Sequence, residues 1–146
     1  MKSPVLKLIL CLIALPLVAS ADERILSFFS DIEVHTNGSM TVTEIIRVRS
    51  EQDQIRRGIY RDFPTRYRDR HGNRVVVAFD VTSVTRDGKP ENYVVEGLSN
   101  GKRVRIGREE VILPSGEHTY LIKYKTNRQL GYFEDYDELY WNVTGN

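Results

Sequence analysis

The chain has 146 residues, of which 40% are hydrophobic, and its 21 Lys and Arg residues against 20 Asp and Glu residues give a formal net charge of +1. This length suits one globular domain, and a charge so close to zero indicates no particular class of partner. The only cysteine, Cys11, lies in an apolar tract at the amino terminus. The absence of thiols beyond that tract excludes disulfide-stapled scaffolds, thiol catalysis and zinc sites built on cysteine.

Residues 1–21 have the pattern of a secretory signal peptide. Lys2 and Lys7 are followed by an almost unbroken apolar run over residues 8–18 and by three small residues at 19–21, as is typical of a cleaved signal. The apolar run is too short to cross a bilayer as a helix, which needs about 20 residues. We therefore expect an exported protein, extracytoplasmic or periplasmic, with a mature domain of residues 22–146. Removal of Lys2 and Lys7 leaves 19 basic residues against 20 acidic ones.

The mature sequence predicts β-strands in close succession. Alternating side chains over residues 40–49 indicate a strand with one face toward a core, and residues 25–35 are its expected partner across the Asn37-Gly38 turn. Further strands are predicted at 75–85, 91–98, 102–106, 109–113 and 117–127, with turns at Asp87-Gly88, Asn100-Gly101 and Ser115-Gly116. No stretch has convincing helical periodicity, so the predicted fold class is all-β, an antiparallel β-sandwich-like single domain.

The stretch from residue 52 to residue 74 breaks this pattern. It is long, it is interrupted by Gly58, Pro64 and Gly72, and seven arginines lie between residues 54 and 74. A connection of this length is either functional or disordered. Its embedded apolar and aromatic residues, Ile59 and Phe63 among them, argue against full disorder.

Two sequence strings carry a family resemblance. The first is GIYRDFP at residues 58–64 and the second is YDELYWNVTG at residues 136–145, and shorter matches accompany them at Asn37-Gly38-Ser39, residues 42–44 and residues 118–124. Over residues 23–146 the chain resembles the bacterial predicted membrane proteins classed as domain of unknown function 2207. Two long motifs at matching separation make this a specific signal.

The resemblance implies an extracytoplasmic β-rich module that follows a signal peptide and precedes transmembrane helices and a low-complexity tail. Contact with the membrane would then run through segments absent from this chain, which has no apolar stretch of about 20 residues after residue 21. Family members continue with more strand, so the last strands of the sandwich are expected to be missing here. The family provides no established catalytic residues to assign.

The strings together suggest a candidate interaction surface made by Arg57, Tyr60, Arg61, Asp62, Phe63, Glu138, Tyr140 and Trp141. Three interpretations remain open for its arginines: a solvated loop with local ion pairs, a site for an anionic lipid or an acidic envelope polymer, or an intramolecular clasp. In the clasp, Arg61 is buried between aromatic neighbours and packs against the acidic run at residues 134–138. Export argues against nucleic acid as the partner, and nothing identifies a protein partner.

Catalytic and metal-binding patterns are nearly absent from the sequence. The three histidines lie far apart, and no nucleophile elbow, phosphate loop or metal-ligand spacing occurs, so we expect no enzyme activity, no metal and no cofactor. The alternative is a cell-envelope hydrolase with paired carboxylates such as Glu44 and Glu138. Glu44, however, falls on the apolar face of its strand, where a buried arginine partner is expected.

The aromatic residues concentrated near the end of the sequence favour core packing over a carbohydrate-binding platform. A solvent-facing ring of Trp141 would favour the platform instead. The predicted function is thus binding or assembly at the cell envelope by a domain of a membrane protein.

Overall fold

The computed structural model describes residues 22–68, 71–139, 141 and 143, and in these residues it contains β-strands and no helix. The strands are β1 (Arg24–Val34), β2 (Ser39–Ser50), β3 (Ile59–Pro64), β4 (Arg66–Arg68), β5 (Arg74–Val76), β6 (Phe79–Arg86), β7 (Lys89–Pro90), β8 (Tyr93–Gly97), β9 (Gly101–Ile106), β10 (Gly116–Asn127), β11 (Leu130–Tyr132) and β12 (Asp137–Leu139). Every strand pair is antiparallel. The all-β, sandwich-like prediction is confirmed. The predicted signal peptide lies outside the described residues.

A five-stranded sheet in the order β1-β2-β10-β6-β7 forms the larger layer. The predicted hairpin between the first two strands is confirmed, with Phe28 opposite Ile46 and a turn at Asn37-Gly38 in which Gly38 has a φ of +77°. Strand β10 pairs with β2 along its whole length. Tyr120, Ile122 and Tyr124 point to one face, as the sequence predicts, and all three are fully buried.

A three-stranded sheet in the order β3-β9-β8 covers that inner face. Phe63, Val104 and Ile106 from this sheet belong to one apolar cluster with β2 and β10 side chains such as Val42 and Tyr124. Each side chain of this size contributes about 1.5–3 kcal/mol when it is fully buried. The single core between the two sheets is therefore what holds the domain together.

Two predictions about residues 52–85 need correction. The stretch 52–74 is not one long loop, since it contains β3, β4 and β5, and β3 pairs with β9 from Ile59 to Pro64. The predicted strand at 75–85 is divided between β5 and β6, because Val77 turns into the core and Ala78 donates its N–H to the Asn127 side chain.

The predicted strand at residues 109–113 is absent. Only Leu113 of this segment is buried, and its N–H donates to the Arg56 carbonyl over 2.9 Å while its own carbonyl accepts from the Gln52 side chain over 2.7 Å. One anchored residue with exposed neighbours makes an irregular loop. Ser115-Gly116 consequently does not join two paired strands as a hairpin turn.

Glycines set how closely β3 approaches β9. At one end of this pair Gly58 has a φ of +135° and Gly107 a φ of +114°. A Cβ built on Gly58 would lie 1.8 Å from the Ile106 carbonyl oxygen, and one built on Gly107 would lie 2.0 Å from the Arg57 carbonyl oxygen. Only glycine combines this backbone conformation with such an approach. At the other end, a Cβ on Gly101 would lie 2.0 Å from the Phe63 carbonyl oxygen.

Acid should destabilise the fold, because four carboxyl groups have lowered pKa values. Burial raises the pKa of Glu23, but hydrogen bonds from the backbone N–H groups of residues 51 and 53–55 outweigh it and the net pKa is lowered. The Arg103 guanidinium lowers the pKa of Asp62. Burial raises the pKa of Asp87 and of Glu91, but hydrogen bonds and nearby positive charges, mainly those of His118 and Arg86 respectively, outweigh it and the net pKa is lowered. A folded-state pKa below the unfolded value of 3.8 for Asp or 4.5 for Glu contributes stability above that value, and this stability is lost as the pH falls through the folded pKa.

We therefore expect the Tm to fall steadily below about pH 4. Melts recorded between pH 5 and pH 3 on the parent and on Asp62→Asn test this assignment. The variant cannot lose the Asp62 contribution on acidification, so its Tm should fall by less than that of the parent. Parallel declines in the two proteins would show that Asp62 plays no part.

Candidate functional site

The alternation of β3 divides the predicted interaction surface between two faces of one sheet. Successive side chains of a strand point to opposite sides. Tyr60 is 63% exposed, whereas Arg61 is only 8% exposed and Phe63 is 5% exposed. Tyr60 and Asp62 therefore lie on the outer face of the three-stranded sheet, and Arg61 and Phe63 lie in the core.

Charged side chains cover the outer face. Arg103 on β9 forms a two-pronged ion pair with Asp62 on β3, with both N–O distances at 2.7 Å, and its guanidinium carbon lies 5.0 Å from the centre of the Tyr60 ring. Beside it, Arg105 pairs with Glu96 of β8 at 3.0 Å. Exposed pairs of this kind contribute little to stability. The pairs do fix the orientation of the arginine side chains, because a carboxylate can bind the planar guanidinium group through two parallel hydrogen bonds.

A groove of about 780 Å³ runs from this face to the loop before β3. Its basic lining residues are Arg56, Arg57, Arg103, Arg105 and Arg108. Its acidic lining residues are Asp53, Glu96 and Glu109, so positive charge is in excess. Gly58 and Gly107 also line the groove, and their close contact brings the two arginine-bearing segments together.

Two arginines of this groove are uncommitted, whereas Arg108 lies within hydrogen-bonding distance of the Asn92 side-chain amide. Arg56 and Arg57 are exposed, and their guanidinium groups form no hydrogen bond or ion pair with any described residue. Arg103 and Arg105, by contrast, are already paired with carboxylates. The free guanidinium groups next to the exposed Tyr60 ring can receive a phosphate or a carboxylate in a two-pronged geometry. This groove is the candidate functional site, and we call it the arginine groove.

Arg61 belongs to a different structure, an ion pair buried between the two sheets. Its Nε donates to Glu44 Oε2 over 2.7 Å and its Nη2 to Glu44 Oε1 over 2.9 Å. The Tyr124 hydroxyl donates to Glu44 Oε1 over 2.9 Å, and burial together with this carboxylate raises the pKa of Tyr124. The predicted burial of Arg61 and the predicted arginine partner of Glu44 are both confirmed.

The predicted clasp, in which Arg61 packs against residues 134–138, is wrong about the partner of Arg61. The carboxylate that faces Arg61 belongs to Glu44, which is fully buried, whereas residues 134–138 are exposed. Arg61 Nη2 does reach the carboxyl-terminal part of the chain, since it donates to the Val143 carbonyl over 2.9 Å. The guanidinium also lies over the rings of Phe28 and Phe63, 5.2 and 4.8 Å from their centres.

The remaining predicted site residues do not join the groove. Glu138 is exposed on β12, where it pairs with Gly131, and Tyr140 lies outside the described residues. Trp141 is half-buried and stacks on Tyr124, with ring centres 6.3 Å apart, which favours core packing over a surface platform. Within the described residues, no three histidine, aspartate or glutamate side chains come close enough to hold a metal ion.

Arg57 and Tyr60 of the groove belong to the predicted interaction surface, and Arg56 belongs only to the predicted arginine-rich segment. The groove residues Arg103, Arg105 and Arg108 were not predicted. The two arginines on β9 follow the alternation of a correctly predicted strand, and they pack beside β3 only through the pairing of Tyr60 with Arg105 and of Asp62 with Arg103. A two-residue repeat of arginine in a predicted strand is the signal that indicates an exposed basic face.

Comparison with known proteins places these features in a family. A family model described as "Predicted membrane protein (DUF2207) N-terminal domain" matches residues 24–146. Uncharacterized protein YciQ of Escherichia coli (strain K12) is 30% identical over 129 residues, which cover 88% of this chain and 20% of that protein. The chain thus spans about a fifth of the length of this relative. No solved structure matches the chain. No helix long and apolar enough to cross a membrane occurs in the part of the chain that the structure describes.

Proposed function

Because the chain belongs to the DUF2207 family, as the N-terminal domain of a predicted membrane protein, we propose that it is a non-catalytic binding module outside the cytoplasm. In this role the arginine groove holds anionic groups at the cell envelope. The observation that carries the proposal is the pair of uncommitted guanidinium groups of Arg56 and Arg57 in a groove of net positive charge. The signal-like pattern of residues 1–21 supports an exported location.

The groove suits a phosphate better than an uncharged ligand. Arginine presents a rigid set of donors that matches phosphate oxygens and stays charged at any relevant pH. Lipid head groups and anionic envelope polymers both carry phosphates, and either can supply the bound group. The shared chemistry is a phosphodiester held by Arg56 and Arg57 beside Tyr60.

The state of the candidate catalytic carboxylates supports binding over hydrolysis. Glu44 is fully buried, and it is engaged by Arg61 and Tyr124. Glu138 is exposed on another sheet. A glycosidase needs two carboxyl groups that flank one substrate bond, and a carboxylate closed off in the core does not reach a substrate.

Replacing both free arginines with glutamine should weaken binding to anionic membranes. Each arginine near an anionic surface contributes about 1 kcal/mol, so the double variant Arg56→Gln/Arg57→Gln should bind roughly 30-fold less tightly. The measurement is co-sedimentation with vesicles of phosphatidylglycerol and phosphatidylcholine, with pure phosphatidylcholine as the uncharged reference. A titration with soluble poly(glycerol phosphate) distinguishes an envelope polymer from a lipid surface as the source of the phosphate.

A matched control removes the same charge from another face. Lys123 and Lys125 are exposed on β10 of the five-stranded sheet, and Lys123→Gln/Lys125→Gln should leave binding nearly unchanged. If both double variants weaken binding equally, net charge and not the groove is responsible. Failure of the parent protein to bind either vesicles or polymer would refute the proposal outright.

A further inference from the structure

A second cavity, of about 400 Å³, opens where the two sheets meet the residues that follow β10. One wall is aromatic: the rings of Phe63 and Phe79 lie 4.3 Å apart between centres, and Trp141 also lines the cavity. The polar lining residues include Thr65, Thr126 and Gln129. This arrangement of one apolar wall with a few polar groups is typical of ligand pockets, and the volume lies at the small end of their range.

The polar lining residues are exceptional within the core. Eight polar or charged residues are buried in the described part of the chain, namely Thr41, Glu44, Ser50, Arg61, Thr65, His118, Thr126 and Gln129. Five of these eight have side-chain hydrogen bonds, whereas Thr65, Thr126 and Gln129 have none. All three unbonded residues line this one cavity, and they are 5%, 5% and 9% exposed respectively.

The polar atoms of these three side chains are still reached by solvent, whereas the indole Nε1 of Trp141, which lines the same cavity, is buried and has no hydrogen-bond partner among the described residues. A polar atom buried without a partner is unfavourable in a folded protein. Gln129 offers both a donor and an acceptor, and each threonine hydroxyl offers the same in one group. These three side chains and the Trp141 indole N–H therefore offer a bound molecule donors and acceptors that no described residue uses.

Two of the three charged side chains that line the cavity are neutralised by ion pairs, and the third is hydrogen-bonded. Arg61 is paired with Glu44, Asp62 with Arg103, and Arg66 donates to the carbonyls of Leu98 and Ser99. Arg66 is exposed and is the one charged lining residue without an ion-pair partner among the described residues, so the buried part of the cavity suits a neutral ligand. Such a ligand needs a flat apolar face for the aromatic rings and hydroxyl or amide groups for the threonines and the glutamine.

We propose that this cavity binds a neutral saccharide unit. A sugar ring combines a face of C–H groups, which packs on aromatic side chains, with a rim of hydroxyls that donate and accept hydrogen bonds. An acyl chain would leave the three polar side chains unbonded, and a nucleotide would bring more negative charge than the single unpaired cation of the lining, Arg66, can balance. The site is separate from the arginine groove and does not depend on the function proposed for it.

The single tryptophan makes the test direct. Trp141 is the only tryptophan of the chain and it lines the cavity, so its fluorescence reports on this site alone. Titration of the purified chain with N,N′-diacetylchitobiose and with maltose should give a saturable change in emission for at least one sugar. In Thr126→Val/Gln129→Ala the apparent affinity should fall at least tenfold, while the Tm stays close to that of the parent because neither side chain forms a hydrogen bond with a described residue.

Two controls keep the result interpretable. Thr119→Val, on the exposed face of β10, should bind sugar like the parent, and so should Arg56→Gln/Arg57→Gln in the other groove. Absence of any saturable response to either sugar, or an unchanged response in the folded cavity variant, would overturn the proposal. A response to glycerol phosphate without a response to the neutral sugars would also overturn it.

Discussion

Replacement of Arg61 with alanine is expected to lower the free energy of unfolding by about 3–5 kcal/mol. The substitution leaves Glu44 fully buried without a counter-charge, and it removes two hydrogen bonds to that carboxylate and one to the Val143 carbonyl. A carboxylate stranded in the core has to be either desolvated or protonated, and both are costly. The Tyr124 hydrogen bond alone does not compensate the charge.

Denaturant unfolding of Arg61→Ala beside Arg68→Ala measures this effect. Arg68 is exposed on β4, and its side chain donates only to the Gly72 carbonyl among the described residues, so its loss should change stability by less than about 0.5 kcal/mol. The double variant Glu44→Leu/Arg61→Met should recover part of the loss, because apolar residues can replace a buried ion pair. Equal small effects of the two alanine substitutions would show that the buried pair does not stabilise the fold.

Gly107→Ala is expected to cost about 3 kcal/mol or more. A φ of +114° is strained for alanine, at about 1–3 kcal/mol, and the new Cβ would lie 2.0 Å from the Arg57 carbonyl oxygen. Relief of this clash requires β9 to move away from the segment that leads into β3. The same movement separates the two sides of the arginine groove, so anion binding should weaken together with stability.

Gly97→Ala on β8 is the matched control for the glycine effect. It lies in the same three-stranded sheet, it has no positive φ, and a Cβ there meets nothing within 4 Å. Its melting curve should overlay that of the parent. A Gly107→Ala protein as stable as Gly97→Ala would mean that the close approach of the two segments is not required.

The strands that could be predicted are those whose alternating apolar side chains face the core. Residues 40–49 and 117–127 have apolar side chains on the inner face, and both became long strands of the main sheet. Strand β3 has the reverse pattern at its centre, with Arg61 inside and Tyr60 outside. A prediction from alternating hydrophobicity therefore assigns β3 to a loop. The buried Arg61 is acceptable in a strand only because Glu44 lies opposite it.

The candidate site was predictable only in part, for a related reason. The apolar surroundings of Glu44 predict that it needs a buried arginine, but not which of the many arginines supplies it. That identity depends on how the three-stranded sheet packs over β2. In the same way, Arg57 and Tyr60 are close in sequence, whereas Arg103 and Arg105 reach them through the pairing of β3 with β9. Strand register between distant segments is a property of the assembled sheets.

The central position of β10 has a consequence for when this domain can fold. Both β2 and β6 pair with it, although β2 ends at Ser50 and β10 begins only at Gly116. Contacts between residues so distant along the chain form slowly, because a large loop has to close before these contacts contribute any stability. During synthesis the hairpin of β1 and β2 thus cannot pair with β10 until residue 127 has left the ribosome. Until then the chain stays largely unfolded, and an unfolded chain is what passage through a secretion channel would require.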